Sequence, residues 1–553
     1  MEVKNRYEQW LNCVTDKQLK EELLNLNESE INARFYKELS FGTGGLRGVL
    51  GVGTACLNIY TVCKITEGVA KYIIDSGAIK KVAVSYDSRI NSQVFAERVA
   101  CTLASKGISV VLTPKLMPTP YLSFLTREEK CGVGVMITAS HNPAEYNGYK
   151  VYGADGCQIT DAVANEIASK IAISSYFGED IPSLETCLEN GSVVYSKQET
   201  EDRFINLIID MKAFGIENIS VAYTPLHGTG RELVPKLLTA RNIGKLSLVE
   251  KQMPADGNFP TCPYPNPEKP EALTLGVEVA KNEDSDILIA TDPDADRIGV
   301  AVKTSNGYQL LSGNETGALL CDYFLSVNKE KGTLPKNPVV VKTIVTSDLI
   351  KSIAEEYGAV TEEVLTGFKY IGEKIGELEK QGRKQDYILG LEESYGYLVH
   401  TFVRDKDAVS AAQAICEMTA YYKAQGKTLV EVLEGLYEKF GRFENKLLTF
   451  AYPGPEGAIK MRELTLNLRA QGISEIGGKP VVKKIDYKLD ETGLPKSDVL
   501  SFSTADGEKV IIRPSGTEPQ IKAYLFVKGN KQENQKRFEV IVNQLNDLLK
   551  YSK

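Results

Sequence analysis

No Cys-x-x-Cys pair and no zinc-type histidine spacing occur among the 553 residues, which include only three histidines. The ten cysteines are scattered, and a chain this long needs no disulfide staples, so they read as reduced core residues. No apolar run approaches the ~20 residues that span a bilayer. The stretch Met1 to Trp10 is charged and polar where a secretory signal would be apolar. A cytoplasmic location is expected. Positive charge is in deficit: the net charge is −8 and the isoelectric point near 5.4, which argues against nucleic acid or an anionic membrane as the main partner. An anionic substrate would have to be met by local basic groups. Low-complexity tracts and short solenoid periods are also missing.

What is present is enough chain for roughly three to five domains. Apolar β-branched runs recur at Lys81 to Tyr86, Ile108 to Leu112, Ile219 to Tyr223, Asp286 to Ala290 and Val339 to Val341, each followed by a helical pattern. This alternation predicts α/β layers with mixed, mostly parallel sheets. The passage Pro254 to Pro270 is too irregular for a helix or strand and reads as a long surface loop ahead of a helix at Glu271 to Lys281. Beyond about Phe440 the pattern changes to alternating strands and ends in an amphipathic helix, Lys531 to Leu549, predicting a smaller C-terminal α+β domain.

Four loops carry chemistry. Thr138-Ala139-Ser140-His141-Asn142-Pro143 follows the apolar run Val133 to Ile137, placing a hydroxyl nucleophile at a strand's carboxyl end, where open α/β sheets bind ligands. On these six residues alone, a reactive serine and a simple turn stand about even. Thr291-Asp292-Pro293-Asp294-Ala295-Asp296-Arg297 follows another buried run, and its alternating carboxylates point hard oxygens at one place, which repels like charge unless a divalent cation sits there; it is a Mg²⁺ site candidate, with an acidic turn or surface cluster the lesser alternative. An EF-hand is excluded, since Arg297 stands where its glycine and Lys303 where its bidentate glutamate would be. In Gly390 to Tyr397, Glu392 and Ser394 can face one way and meet sugar hydroxyls, although an exposed Glu-Glu pair is the commoner meaning. Nearby, Arg404-Asp405-Lys406-Asp407 offers a lysine toward the cleft, with a charged surface turn the more usual reading. In the fourth loop, Arg513, Ser515, Gly516 and Thr517 combine a guanidinium fork with an anion nest suited to phosphate. Gly42 to Gly48 is glycine-rich around Arg47 without matching a dinucleotide fingerprint. Gly426-Lys427-Thr428 reads as a helix-end turn, and His227 and His400 read as structural.

With serine, metal, sugar and phosphate loops in this order, the chain resembles the α-D-phosphohexomutase family, the phosphoglucomutases and phosphomannomutases, over nearly its whole length. The long bacterial phosphoglucomutases and the phosphopentomutase branch are most similar. The resemblance implies a heart-shaped, four-domain enzyme with one loop per domain, divided at 1–205, 206–313, 314–440 and 441–553. It implies that Ser140 is a phosphoserine, that Asp292, Asp294 and Asp296 bind Mg²⁺ together with a phosphoserine oxygen, and that Arg297 and Arg47 offset phosphate charge. Glu392 and Ser394 would hold sugar hydroxyls beside the loop Gly367, Phe368 and Lys369, and Arg513, Ser515, Gly516 and Thr517 the phosphate that does not react. The phosphoryl group would pass through a bisphosphate, so that glucose 1,6-bisphosphate primes the enzyme. Some family members carry a histidine two residues past the sugar-loop serine; here Gly396 stands in that place, which leaves Lys406, with a lowered pKa, and His141 as acid–base candidates. The sugar-loop groups would reach hydroxyls common to glucose and mannose, so glucose ranks first, mannose second, pentose third and amino sugars last. A small sugar phosphate is the only partner expected, for a monomer or homodimer. Two rivals are a Mg²⁺-dependent phosphatase and a silent sugar-phosphate-binding protein.

Overall fold

The computed structural model of the protein describes residues 2–42, 44–177, 180–489, 491–515 and 520–550. Four sheets follow one another along the chain. The first runs Leu46–Val49, Tyr146–Gly153, Val133–Ile137, Lys81–Tyr86, Ser109–Leu112, Val193–Tyr195 from edge to edge. Its last four strands are parallel, and the two at the opposite edge pair antiparallel. Every residue of Val133–Ile137 is buried, as are all but the first of Lys81–Tyr86, so both read in the sequence as unbroken apolar runs. The second sheet is ordered Gly307–Leu311, Ile298–Thr304, Ile287–Thr291, Ser220–Thr224, Lys245–Leu248, and the third Val360–Val364, Val339–Thr343, Tyr387–Glu392, Gly396–Leu398.

One construction repeats in these three sheets. A parallel strand (Val133–Ile137, Ile287–Thr291 or Tyr387–Glu392) ends in a polar turn, and the chain returns beside it as an antiparallel strand. The serine, aspartate and glutamate loops are those three turns, each at the carboxyl end of a strand buried on both faces. The fourth sheet, Arg442–Ala451, Gln520–Gly529, Lys509–Pro514, Leu500–Thr504, Lys479–Asp486 and Glu475–Ile476, is antiparallel throughout. The chain is thus three α/β/α units with mixed sheets and a C-terminal unit with an antiparallel sheet.

The first three units share a continuous core. Tyr121 and Phe124, Phe204, Tyr223 and Leu233, then Tyr323, Leu389 and Ile415 belong to one apolar cluster. Helix Ala408–Ala424, buried on nearly every side, runs through it and is largely apolar for that reason, its buried Glu417 paired with Arg241 (2.8 Å). Close packing of this kind fixes the three loops relative to one another. The fourth unit has its own core of Phe450, Phe502, Ile512, Leu525 and Ile541. It meets the third through Ile344, Val345 and Leu365 against Tyr487, Ile511 and Phe526, with Lys509 2.8 Å from Asp348.

Residues 254–269 form neither helix nor strand, as expected, but the segment is not a surface excursion. Phe259 and Cys262 are buried against Leu226 and Ala272, and Gly257 lies so close to the backbone of Arg89 and Ile90 that no Cβ would fit. The helix beyond it, Thr274–Asn282, opens with a 3₁₀ turn, Pro270–Leu273. Gly426, with φ of 74°, and Thr428, the N-cap of the next helix, are the helix-end turn anticipated. Among the described residues no helix is long and apolar enough to cross a membrane.

Candidate active site

Ser140 is fully buried, with φ of 54°. Its backbone N–H donates to Thr138 Oγ1 (2.8 Å), and the Thr138 hydroxyl donates to Asp87 Oδ2 (2.6 Å). The Ser140 hydroxyl donates to Asp292 Oδ2 across 2.7 Å and lies 3.2 Å from His141 Nδ1. First and second units therefore meet at the two residues singled out in their loops. His141 is a neutral imidazole, since burial, and then the charges of Arg297 and Arg47, push its pKa well below the usual histidine range. Arg47 is exposed on the strand that pairs with Tyr146–Gly153, and its Nη1 donates to Asn142 Oδ1 (2.6 Å).

The aspartate loop is held by backbone bonds from three units. Thr119 N donates to Asp294 O (2.8 Å), Thr229 N to Pro293 O (2.8 Å), Ala408 N to Ala295 O (3.2 Å), and Ile298 N to Tyr395 O in the glutamate loop (3.1 Å). Asp292 Oδ1 accepts from the N–H groups of Asp296 and Arg297 (3.1 and 3.0 Å), and so shapes its own turn. Carboxylate oxygens of Asp292, Asp294 and Asp296 lie within 4.8 Å of one another, all three residues buried. Asp294 Oδ1 and Asp296 Oδ1 are buried without a hydrogen-bond partner. A hard divalent cation fits such a set: oxygen donors only, converging, two of them unsatisfied.

Positive side chains surround the triad. Lys150 Nζ is 2.8 Å from Asp294 Oδ2 and 3.3 Å from Asp296 Oδ2; Lys406 Nζ is 3.4 Å from Asp296 Oδ2 and 3.1 Å from Asp405 Oδ1. Arg297 pairs with Glu268 (2.6 Å) and lies 3.8 Å from Asp296. Two expectations change here. The run Arg404 to Asp407 is wholly buried rather than a surface turn, because Tyr152 and Gln158 of the first unit donate to Asp405 (2.8 and 3.0 Å). Nor is Lys406 lowered in pKa: burial pushes it down, but Asp296, Asp405 and Glu392 outweigh burial and hold the ammonium above the ordinary lysine range. Gly396 explains how the lysine gets there, for its stem fills the space that a side chain at 396 would take.

Glu392, at the end of its strand, is buried and accepts from Gly367 N (2.9 Å), which draws Gly367 to the glutamate loop. The exposed Glu-Glu reading therefore fails. Phe368 is buried in the core with its ring 5.4 Å from Lys406 Nζ, and Lys369 turns to Asp161 of the first unit (2.6 Å). Ser394 is half-buried in the same turn. Arg513 and Ser515 are half-buried at the end of Lys509–Pro514, and burial, then the charge of Glu393, push the Tyr524 phenol up, Arg513 opposing them. Gly516 and Thr517 lie outside the described residues. His227 is satisfied by Pro254 O and Thr261 Oγ1 (2.9 Å each), and His400 meets Asp407 through Nε2 (2.8 Å) and stacks on Phe402, both structural contacts.

Lys150, Asp405, Glu268, Thr119 (2.7 Å from Asp294 Oδ2) and Glu393 escaped sequence reasoning. Lys150 had a signal, a lone lysine within the buried strand Tyr146–Gly153. Glu393 accepts from Thr343 and Thr346 (3.3 and 3.5 Å), and burial, then Glu392, push its carboxyl up to about 7. Folding thus takes up a proton there. An unfolded glutamate titrates near about 4.3, so stability falls as pH rises from there toward the folded value, and the cost is complete above it. Glu393→Gln is expected to raise the urea midpoint at about pH 8, the gain shrinking on acidification and vanishing below about pH 4. A gain independent of pH would contradict this origin.

Family models described as phosphoglucomutase/phosphomannomutase, alpha/beta/alpha domains I, II and III match residues 38–176, 201–307 and 312–440. A phosphoglucomutase of Staphylococcus epidermidis is 35% identical over 98% of this chain and 99% of its own, and one of Staphylococcus aureus 36% over 94% and 95%. Among solved structures, a phosphoglucomutase/phosphomannomutase family protein from Burkholderia thailandensis superposes with a TM-score of 0.69 at 19% identity, covering 92% of this chain and 97% of its own. The open form of parafusin, a phosphoglucomutase from Paramecium, superposes with 0.68 at 19% identity, covering 93% and 95%. With its loops in the family's order and near end-to-end similarity to named relatives, the chain belongs to the phosphoglucomutase/phosphomannomutase family of phosphohexomutases, which are isomerases.

Proposed function

We propose that the protein interconverts glucose 1-phosphate and glucose 6-phosphate by passing a phosphoryl group through Ser140. The observation that carries this reading is the buried serine hydroxyl 2.7 Å from Asp292, with Lys150, Lys406 and Arg297 standing against the same aspartate loop. Phosphoryl transfer asks a protein mainly to position its reactants and neutralise charge, and this site is built for both. The Staphylococcus relatives, named phosphoglucomutases and matched nearly end to end, support glucose as the sugar.

Asp292, Asp294 and Asp296 would hold Mg²⁺, which when bound supplies Lewis-acid charge at the transferred group. The C6 hydroxyl of glucose 1-phosphate attacks the phosphorus on Ser140 and gives up its proton, the P–Oγ bond breaks and Ser140 Oγ is protonated in turn, and glucose 1,6-bisphosphate forms. After the bisphosphate turns over, Ser140 Oγ attacks the phosphorus on C1 and glucose 6-phosphate leaves. Neutral His141, 3.2 Å from Ser140 Oγ, is placed to exchange the serine proton. Lys406 and Lys150, which the carboxylates beside them hold above the ordinary lysine range against the pull of burial, stabilise phosphoryl charge as ammonium groups, so that Lys406, an acid–base candidate by sequence, does not have the lowered pKa expected of it. Glu392 keeps Oε2 for a sugar hydroxyl while Oε1 anchors Gly367, and Ser394 adds a second contact. Arg513 and Ser515, with Gly516 and Thr517, take the phosphate that does not react, and Arg47 closes on the serine side. Glucose 1,6-bisphosphate would prime the dephosphorylated enzyme. A cytoplasmic location belongs to the same reading.

The test is a coupled assay of glucose 1-phosphate conversion with Mg²⁺ and a trace of glucose 1,6-bisphosphate, beside mannose 1-phosphate and ribose 1-phosphate. The highest kcat/KM is expected for glucose. A higher value for mannose or ribose would reassign the sugar, and release of free phosphate without isomerisation would replace the mutase with a phosphatase.

A further inference from the structure

Arg89 lies outside the four loops, in the turn after Lys81–Tyr86, and is 3% exposed. Its Nη1 donates to Pro143 O (2.8 Å) and Tyr146 O (2.9 Å), its Nη2 to Ser140 O (2.6 Å) and also to Asn142 O. One guanidinium thus gathers the carbonyls of four residues in the segment that carries the serine. Asp87 Oδ2 sits 3.5 Å from its Nε and accepts from Thr138, whose hydroxyl in turn receives Ser140 N–H. On its other side the ring of Phe259, from the second unit, lies 5.0 Å from the guanidinium carbon.

This grip has a chemical purpose. Peptide carbonyls carry partial negative charge, and in a tight turn around Ser140 they would repel a phosphoryl dianion wherever they faced it. Arg89 turns them inward. Left-handed backbone at a serine is strained and persists only where its surroundings over-determine it, which carbonyl bonds on one side and the Thr138–Asp87 chain on the other achieve. A lysine could not do this, because its ammonium is a point donor and not a planar fork.

We propose that Arg89 is the positioning residue of the reactive serine: by gathering the carbonyls of Ser140, Asn142, Pro143 and Tyr146, it holds Ser140 Oγ in line for phosphoryl transfer. The proposal rests on Ser140 as the phosphoryl carrier, so its test begins there. Wild type and Ser140→Ala are incubated with glucose 1,6-bisphosphate and weighed intact; one added phosphoryl group on wild type alone establishes the carrier. Arg89→Lys and the charge-neutral double variant Asp87→Asn/Arg89→Met are then assayed in the full chain. Each is expected to lose about 100-fold in kcat, with KM for glucose 1-phosphate within about threefold of wild type, since the distal phosphate site is untouched. A kcat within threefold of wild type in Arg89→Lys overturns the proposal, as does an equal rise in KM. Should the Arg89 variants fail to fold by thermal unfolding, Phe259→Leu decides: a several-fold fall in kcat at constant KM supports it, and an unchanged kcat overturns it. No phosphoryl group on wild type would remove the carrier and the proposal together.

Discussion

Alanine at position 140 is expected to lower kcat by at least about 10⁴-fold, because the hydroxyl is the group that accepts and returns the phosphoryl. The change is small in every other respect. The Cβ stays, the backbone bonds of Ser140 to Thr138 and Arg89 stay, and only the hydroxyl's contacts with Asp292 and His141 are lost. The variant should therefore unfold within a few degrees of wild type and still bind glucose 1,6-bisphosphate, which isothermal titration can read. Residual mutase turnover above about 1% of wild type would place the phosphoryl carrier elsewhere.

The second large effect concerns the aspartate loop. Three buried carboxylates have oxygens within 4.8 Å of one another; Lys150 and Lys406 take Oδ2 of Asp294 and Asp296, and their Oδ1 atoms are left without a hydrogen-bond partner for a cation to join. Burial, and then Asp294 and Asp296, push Asp292 well above the usual carboxylate range, whereas Lys150 and, for Asp296, Lys406 outweigh burial and hold Asp294 and Asp296 below it. Dialysis against a chelator is expected to remove activity and lower the thermal midpoint, and Mg²⁺ to restore both. At 100 times its dissociation constant a ligand of the folded state adds about 2.7 kcal/mol. Asp294→Asn should lose about 10²- to 10³-fold in kcat and most of the Mg²⁺-dependent stabilisation. It should also be less stable than chelated wild type, since the buried Lys150 ammonium, 2.8 Å from Asp294 Oδ2, loses its closest charged partner. A midpoint in wild type that ignores Mg²⁺ would argue that Lys150 and Lys406 alone balance the triad.

Much of the site was legible before any coordinates. Val133 to Ile137 and Asp286 to Ala290 announce buried strands by unbroken apolar runs, and a polar cluster just beyond each marks a strand's carboxyl end. Asp87-Ser88-Arg89 follows Lys81–Tyr86 in the same way, and applying the same cue would have found Arg89. Lys150 was harder, because a lysine in a strand usually points to solvent; here Asp294 and Asp296 receive it from another unit. The surface reading of Arg404 to Asp407 failed for a related reason: charge implies exposure only when no partner is buried with it, and Tyr152 and Gln158 come from the first unit.

By itself, then, the sequence determined which groups each loop offers: a hydroxyl, three alternating carboxylates, a glutamate and an arginine beside a nest. These are local properties, because a strand, its end and the spacing of side chains beyond it are set within about ten residues. Only the tertiary structure decided which of them meet and in what charge state. Ser140 reaches Asp292 across 152 residues of chain, and Lys150 reaches Asp294 across 144. Lys406 stays charged because Asp296, Asp405 and Glu392, drawn from two units, converge on it. Protonation answers to the field within a few ångströms, and no stretch of sequence contains that field until packing assembles it.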